Sequence, residues 1–246
     1  METELTKTYQ LRTTDFDRYG RMKASAVLDV CQDLAGLQAE GMGIGAADME
    51  ARGVFWAVIR MKYEVLAHPQ MHDDVVARTW PHDPSRFSFL RDYTLKSTSG
   101  DLLVKATSEW VMMDTRTRKF ASVKDNYDGP MDFSPDRAFE KKPRRVRDFA
   151  IDGLAPYRVV PAYSDVDVNG HVNNTRYATY VMNALDPGEQ GEIRTFQIDY
   201  RLEVQEGEPL DIYYVRDGAT ITAKGVAAEG DHAGATMFLC KIEAAL

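Results

Sequence analysis

The 246-residue chain contains only two cysteines, Cys31 and Cys240, far apart in sequence. Neither sits in a Cys-x-x-Cys or Cys/His spacing. That excludes a disulfide framework and a zinc-finger site, and it suits a reducing compartment. No stretch approaches the roughly 20 consecutive apolar residues that a membrane helix requires. The opening Met-Glu-Thr-Glu-Leu-Thr-Lys has no basic segment followed by an apolar run. No secretory signal is therefore expected, and the chain reads as a cytoplasmic, bacterial protein. Acidic residues outnumber basic ones, 38 to 30. The net charge of −8 argues against a general nucleic-acid binder. One basic run stands against that balance, Lys141-Lys142-Pro143-Arg144-Arg145-Val146-Arg147. It reads either as a solvated linker or as a docking patch for an acidic partner.

What is present is ordinary for a globular protein, with 44% hydrophobic and 28% charged residues. The length allows one large domain or two of about 120 residues, and the chain repeats itself. Asp15-Phe16-Asp17-Arg18-Tyr19-Gly20-Arg21 lies 150 positions before Asp165-Val166-Asp167-Val168-Asn169-Gly170-His171. An apolar helix face follows each copy at the same relative positions. The first is Val27, Val30, Cys31, Leu34 and Ala35; the second is Tyr177, Tyr180, Val181, Ala184 and Leu185. Ser25 and Asn174 are the expected N-caps.

Strand patterns come next, rich in β-branched and aromatic residues. They span 54–65, 73–81, 85–98 and 102–115 in copy one, and 194–203, 209–217, 219–228 and 235–245 in copy two. A further strand precedes each helix, near 7–13 and 156–163. Ser99-Gly100 and Asp217-Gly218 are hairpin turns. Past the helices the offset falls from 150 to 137, as Tyr63/Tyr200 and Asp74/Asp211 show. Copy one therefore carries 13 extra residues around Gly41-Met42-Gly43-Ile44-Gly45 and Met49. They form either a surface loop or a methionine-lined wall for a flexible ligand.

This pattern predicts an α+β protein of two tandem units, each a long helix wrapped by an antiparallel sheet. Residues 1–124 form the N-terminal unit, 125–154 a linker whose basic part is partly helical, and 155–246 the C-terminal unit. Such a helix-in-sheet unit is the hot-dog arrangement.

The copies differ in chemistry. Asn169, His171 and Glu203 stand where copy one has Tyr19, Arg21 and Leu66, whereas Asp17 and Asp167 agree. One chemical site is therefore expected, in the second half. A histidine and a carboxylate can activate water. The amides of the following helix start suit a developing oxyanion. His68, His72, His82 and His232 show no such partners and read as surface residues.

The block from Asp165 to Tyr177, with His171-Val172-Asn173-Asn174, resembles the Asp-x-Asn-x-His-Val-Asn-Asn-x-x-Tyr motif of the acyl-acyl carrier protein thioesterases. Tyr200-Arg201-Leu202-Glu203 resembles that family's Tyr-Arg-x-Glu block. Phe55-Trp56, Thr79-Trp80, Arg91-Asp92-Tyr93 and the run from Trp110 to Arg116 are similar to its N-terminal half. The resemblance implies a catalytic set of Asp167, Asn169, His171 and Glu203. In it Glu203 is the base for water, His171 and Asn169 polarise the thioester or position the water, and Asp167 orients one of those two. The resemblance also implies an acyl tail held in the N-terminal copy. It further implies a partner, the acidic acyl carrier protein bearing a fatty acyl chain on phosphopantetheine. Basic docking candidates are residues 141–147 and Arg116-Thr117-Arg118-Lys119.

Some family members carry a cysteine directly after the glutamate. Here that residue is Val204, so attack by water rather than an acyl-cysteine path is expected. Cys31 and Cys240 read as structural. No metal, redox cofactor, nucleic acid or membrane is implied, and the chain is expected to be a monomer or homodimer. The alternatives are an acyl-coenzyme A thioesterase, a dehydratase or hydratase of the same fold, and a non-catalytic acyl-thioester sensor.

Overall fold

The computed structural model describes residues 3–185 and 191–245. The chain divides into two compact units. The first comprises Met1–Lys23 with Val27–Lys142, and the second Ala24–Ala26 with Pro143–Leu246.

In the first unit β1 (Leu5–Gln10) leads through a 3-10 turn, Thr13–Asp15, into α1 (Ala24–Gly41) and a short α2 (Ala46–Ala51). Then come β2 (Val54–Val65), β3 (Asp74–Pro81), β4 (Phe89–Ser97), β5 (Leu102–Asp114), β6 (Phe120–Ala121) and α3 (Val123–Asn126). The strands are antiparallel in the order β1-β3-β4-β5-β2, with β6 beside β5. In the second unit β7 (Tyr157–Val159) and the 3-10 turn Tyr163–Asp165 precede α4 (Arg176–Leu185). After these come β8 (Glu192–Tyr200), β9 (Leu210–Asp217), β10 (Thr220–Ala227) and β11 (Thr236–Ala245). Their order is β7-β9-β10-β11-β8. Adding six to each strand number of the first unit reproduces the second, so the repeat read from the sequence is a repeat of topology.

The two hairpins form where expected. Gly100 has φ +97° and donates to Ser97 O at 3.0 Å, while Asp217 pairs with Thr220 across Gly218. Helix α1 buries Val27, Cys31, Leu34 and Ala35 in the unit core, as its spacing predicts. The same stripe continues to Gln38, which is only 3% exposed.

Several expectations are corrected. Ser25 lies inside the first turn of α1 and Asn174 two residues ahead of α4. Helix α1 thus starts earlier and α4 later than those caps demand, although the preceding turn holds the chain in the same way in both units. Lys23 N–H donates to Asp15 O and Asn173 N–H to Asp165 O, both at 2.8 Å. Strand β4 begins at Phe89 rather than 85, because Ser85 and Ser88 close a turn on each other. Strand β8 stops at Tyr200, and β7 is only three residues long.

The 13-residue insertion is not a surface loop. It contains α2, whose start is held by Asp48 accepting the Gly45 N–H at 3.1 Å. Met42, Ile44 and Met49 are buried with Val54, Phe89, Met112 and Val123, flanked by Trp56, Trp110, Tyr127 and Phe133. Burial of such side chains contributes roughly 1.5–3 kcal/mol each, which is why the insertion folds inward.

The expected linker carries no helix in its basic part. It is an extended strap that satisfies polar groups on the sheet. In the first unit Asp136 takes both Arg78 Nη atoms at 2.9 Å and the Trp80 indole N–H at 2.9 Å. Ala138 N–H donates to Asp92 at 2.7 Å, and Lys142 reaches Glu109 at 2.5 Å. In the second unit Gln197 donates to Arg144 O and Val146 N–H to Asp199. Lys224 reaches Asp148 at 2.7 Å and Phe149 O at 2.6 Å. Alternate residues of an extended strap meet alternate residues of the strands, and Pro143 disfavours a helical residue before it. His82 is likewise not a surface residue. Its side chain is 12% exposed and Nε2 lies 2.9 Å from Asp92 Oδ2. The approach is off the hydrogen-bond direction, so it is a polar contact rather than a formed bond.

Candidate active site

The Asp-x-x-Gly turn occurs once in each unit with the same bonds. Asp17 N–H donates to Arg21 O and Gly20 N–H to Asp17 O; Asp167 and His171, then Gly170 and Asp167, repeat both. Short bridges close it at Phe16/Met22 and Val166/Val172. Gly20 and Gly170 have φ of +74° and +78°, the left-handed conformation that favours glycine. The aspartate builds the turn. Asp17 Oδ1 accepts the Tyr19 and Arg21 N–H at 2.8 and 2.9 Å. Asp167 Oδ1 accepts the Asn169 N–H at 2.8 Å, and its Oδ2 accepts Asn173 Nδ2 at 3.1 Å.

What the second unit adds is a pair. Glu203 lies just past β8, in an irregular segment running to Leu210. Val172 N–H donates to Val204 O at 2.9 Å. That backbone bond ties the residue after His171 to the residue after Glu203. His171 Nε2 and Glu203 Oε2 stand 3.2 Å apart, with side chains 28% and 41% exposed. Water therefore reaches both. The side chain of Asn169 is exposed at the tip of the turn, beside Val168. Of the four candidate residues the structure thus joins His171 to Glu203. Asp167 contacts backbone and Asn173, and Asn169 is linked to the pair through the turn.

Three residues do work the sequence reading did not assign. Asn173 Oδ1 accepts the Thr175 N–H and hydroxyl, both at 2.9 Å. An Asn two residues before an acceptor-seeking amide is an Asx-turn signature, and that signal was available. Tyr177 is buried, and its hydroxyl oxygen is within hydrogen-bond reach of the Val204 N–H. The Tyr200 hydroxyl donates to Asn174 O at 2.9 Å. Burial pushes both phenols upward, so neither supplies a phenolate near neutral pH. Val204 itself is fully buried. Its side chain belongs to the core while its backbone holds the site.

At the start of α4 part of the amide set expected to face an oxyanion is already engaged. Thr175 and Arg176 donate to Asn173, and Ala178 donates to Thr175 O. His171 and Asn169 carry further side-chain donors on the turn that leads towards this helix. Cys31 and Cys240 are both fully buried, and burial pushes both thiols up. In the basic run Val146 is buried and Lys142 is paired with Glu109, whereas Arg144, Arg145 and Arg147 are exposed. Among the described residues no helix is long and apolar enough to cross a membrane. Among the same residues no group of three or more His, Cys, Asp or Glu is placed to hold a metal ion.

A helix against an antiparallel sheet, built twice, with one copy carrying an open histidine–carboxylate pair, is a double hot-dog arrangement. Comparison with known proteins narrows this. Residues 2–131 match the model of the acyl-ACP thioesterase N-terminal domain, and residues 154–236 that of its C-terminal domain. The chain is 27% identical over 232 residues to the chloroplastic acyl-acyl carrier protein hydrolase FATB3 of Cuphea viscosissima, covering 89% of this chain and 53% of that protein. It is 29% identical over 209 residues to the chloroplastic oleoyl-acyl carrier protein thioesterase of Coriandrum sativum, covering 75% and 55%. The chain spans about half the length of these curated relatives.

Among solved structures, an acyl-ACP thioesterase from Bacteroides thetaiotaomicron superposes with a TM-score of 0.83 at 23% identity, over 98% of this chain and 97% of that one. The 12:0-ACP thioesterase from Umbellularia californica superposes with a TM-score of 0.81 at 22% identity, over 99% and 97%. At these identities the likeness is one of fold. The chain belongs to the acyl-ACP thioesterase family.

Proposed function

We propose that the chain hydrolyses the thioester of a fatty acyl chain carried on acyl carrier protein, releasing free fatty acid and the holo carrier. Membership of the family supports the substrate class. The observation that carries the chemistry is the His171–Glu203 pair, 3.2 Å apart and open to water.

In this reading Glu203 takes a proton from water as the water oxygen bonds to the thioester carbonyl carbon. The negative charge that moves to the carbonyl oxygen is met by donors from His171 and Asn169. The tetrahedral intermediate collapses, the carbon–sulfur bond breaks, and the proton held by the pair passes to the departing sulfur. Water is consumed, and a carboxylic acid and a thiol are formed. General-base assistance of this kind contributes about 10²–10⁴-fold. Asp167 acts as a positioning residue through the turn. Val204 at the position after the glutamate, together with two buried thiols, supports direct attack by water.

The acyl tail is assigned to the first unit, among Met42, Met49, Met112 and Phe89, whose methionines re-pack around a flexible chain. Arg144, Arg145 and Arg147 are the docking candidates for the acidic carrier.

The test is fatty acid release from a panel of acyl-acyl carrier proteins and the matching coenzyme A thioesters, wild type beside Glu203→Ala. Release from the carrier-linked chains that collapses in a folded Glu203→Ala variant is expected. Faster release from coenzyme A would overturn the carrier assignment, and undiminished release by the variant would overturn the choice of base.

A further inference from the structure

The interior of the first unit contains a cation without an anion. Arg91, on β4, is 3% exposed, and its guanidinium meets only neutral partners, Gln38 Oε1 of α1 and Thr79 Oγ1 at 3.3 Å. The neighbouring carboxylate, Asp92, lies on the opposite face of the strand, bonded to Ala138 N–H. Among the described residues no carboxylate pairs with Arg91. The two nearby phenols are not counter-ions either. Burial pushes the Tyr127 hydroxyl up to about 12 and the Tyr93 hydroxyl up as well, so both are neutral.

Beside this cation is a second donor without an acceptor. Gln38 is also 3% exposed, and its Nε2 has no hydrogen-bond partner. A buried guanidinium with no anion and a buried amide with no acceptor are both costly. Their coincidence on facing elements suits a ligand that bears an acceptor.

The surroundings indicate what else that ligand carries. Phe89 sits two residues from Arg91 on the same face of β4. Its ring stacks on Trp56 at 5.5 Å and packs against Tyr127 at 5.3 Å. Beyond it lie Met42, Ile44, Met49 and Met112. A donor pair thus flanks a methionine-rich apolar cluster. Its complement is a carboxylate on a long hydrocarbon chain.

We propose that Arg91 and Gln38 form a buried carboxylate site that binds free long-chain fatty acid, with the hydrocarbon lying among Phe89 and the three methionines. This goes beyond hydrolysis and borrows from that reading only the expectation of a hydrocarbon occupant. A thioester-linked chain has no anion to offer the site, so the free acid is preferred over it there. The free acid then competes with the acyl tail for the same apolar cluster, which makes the product an inhibitor.

The test measures binding, so its outcome is independent of turnover. Dodecanoate, hexadecanoate, the two matching alcohols and acetate are titrated calorimetrically into the full chain. Variants Arg91→Met and Gln38→Glu are titrated beside it. The wild type is expected to bind each acid about 10-fold or more tightly than its alcohol, the scale of a charged hydrogen bond. Gln38→Glu builds a carboxylate into the chain opposite Arg91. It is expected to raise the Tm and to abolish the preference for acid over alcohol, which keeps the proposal testable if Arg91→Met does not fold. Equal binding of acid and alcohol by the wild type would overturn the proposal. So would an undiminished preference in Gln38→Glu, or acetate binding as tightly as dodecanoate.

Discussion

The duplicated turn supplies an internal control for the role of Asp167. Asp17 and Asp167 occupy equivalent turns, and each accepts the N–H of the residue two positions on, yet only the second turn carries His171. Replacing Asp17 with Ala removes acceptors from Tyr19 and Arg21 N–H, at 2.8 and 2.9 Å, and an Arg21 contact at 3.3 Å. Replacing Asp167 with Ala removes the acceptors of Asn169 N–H at 2.8 Å and Asn173 Nδ2 at 3.1 Å. Hydrogen bonds to charged groups contribute about 1.5–3 kcal/mol net. Both turns are partly open, so water replaces some of this, and about 2 kcal/mol is expected for each variant. At this chain length each kcal/mol shifts Tm by roughly 2–4 °C, so each variant should melt about 4–8 °C lower. Activity should separate them. A displacement of the order of 1 Å costs about 10²-fold, so Asp167→Ala should lower kcat by roughly 10- to 100-fold. Asp17→Ala should leave it within about twofold. Melting curves and steady-state rates on one acyl-acyl carrier protein measure both quantities. Equal losses of kcat would refute the placement of chemistry in the second turn. A destabilised Asp167→Ala with normal kcat would show that His171 is held by something other than this turn.

Two further outcomes follow from burial and charge. A maleimide applied to the native protein should leave activity intact, because Cys31 and Cys240 are fully buried and their thiols stay protonated; rapid stoichiometric inactivation would contradict direct attack by water. Asp148 should act as an acid-sensitive anchor of the strap. Its burial alone would raise its pKa, but the Lys224 ammonium and the Phe149 N–H outweigh that and hold it below the usual carboxylate value. A depressed folded-state pKa means that its contribution is complete above the unfolded value, about 3.9, and is lost as pH falls through the folded value. The Tm deficit of Asp148→Asn should therefore be constant near neutral pH and shrink only below about pH 4; a deficit that persists undiminished through that range would remove the charge from the explanation.

The sequence disclosed most of the scaffold, because each element is specified locally. Alternation from Val54 to Val65 marks β2, and the 27/31/34 spacing marks α1. Comparing the two copies located the polar positions 169, 171 and 203. The same comparison also held a clue about Asp167: an aspartate retained in both copies builds what both copies share, the turn. What stayed hidden depends on partners distant in sequence. The strap has no periodicity of its own, since its bonds go to Asp92, Glu109, Asp199 and Lys224 on strands formed elsewhere. Gln38 is a lone polar residue on an apolar helix stripe, and its meaning depends on Arg91, 53 positions away. The insertion looked like a loop because α2 is too short to show a face. Its buried Met42, Ile44 and Met49 acquire a role only against Phe89 and Met112.

The division between the bonds of the turn and its exposed side chains also explains how the two copies differ at positions 19 and 21 against 169 and 171 while sharing the fold. The bonds that build the turn are made by the backbone and by Asp17 or Asp167, and none requires the side chain at positions 19, 21, 169 or 171. Those positions are free to change. In the first unit Arg21 stacks over the Tyr19 ring at 4.6 Å and approaches Asp17 at 3.3 Å, so these side chains pack on the turn itself. In the second unit the closeness of His171 to Glu203 is likewise carried by the Val172–Val204 backbone bond and by Tyr177 beneath it. A pair brought together by backbone and core in this way keeps both side chains within reach of water.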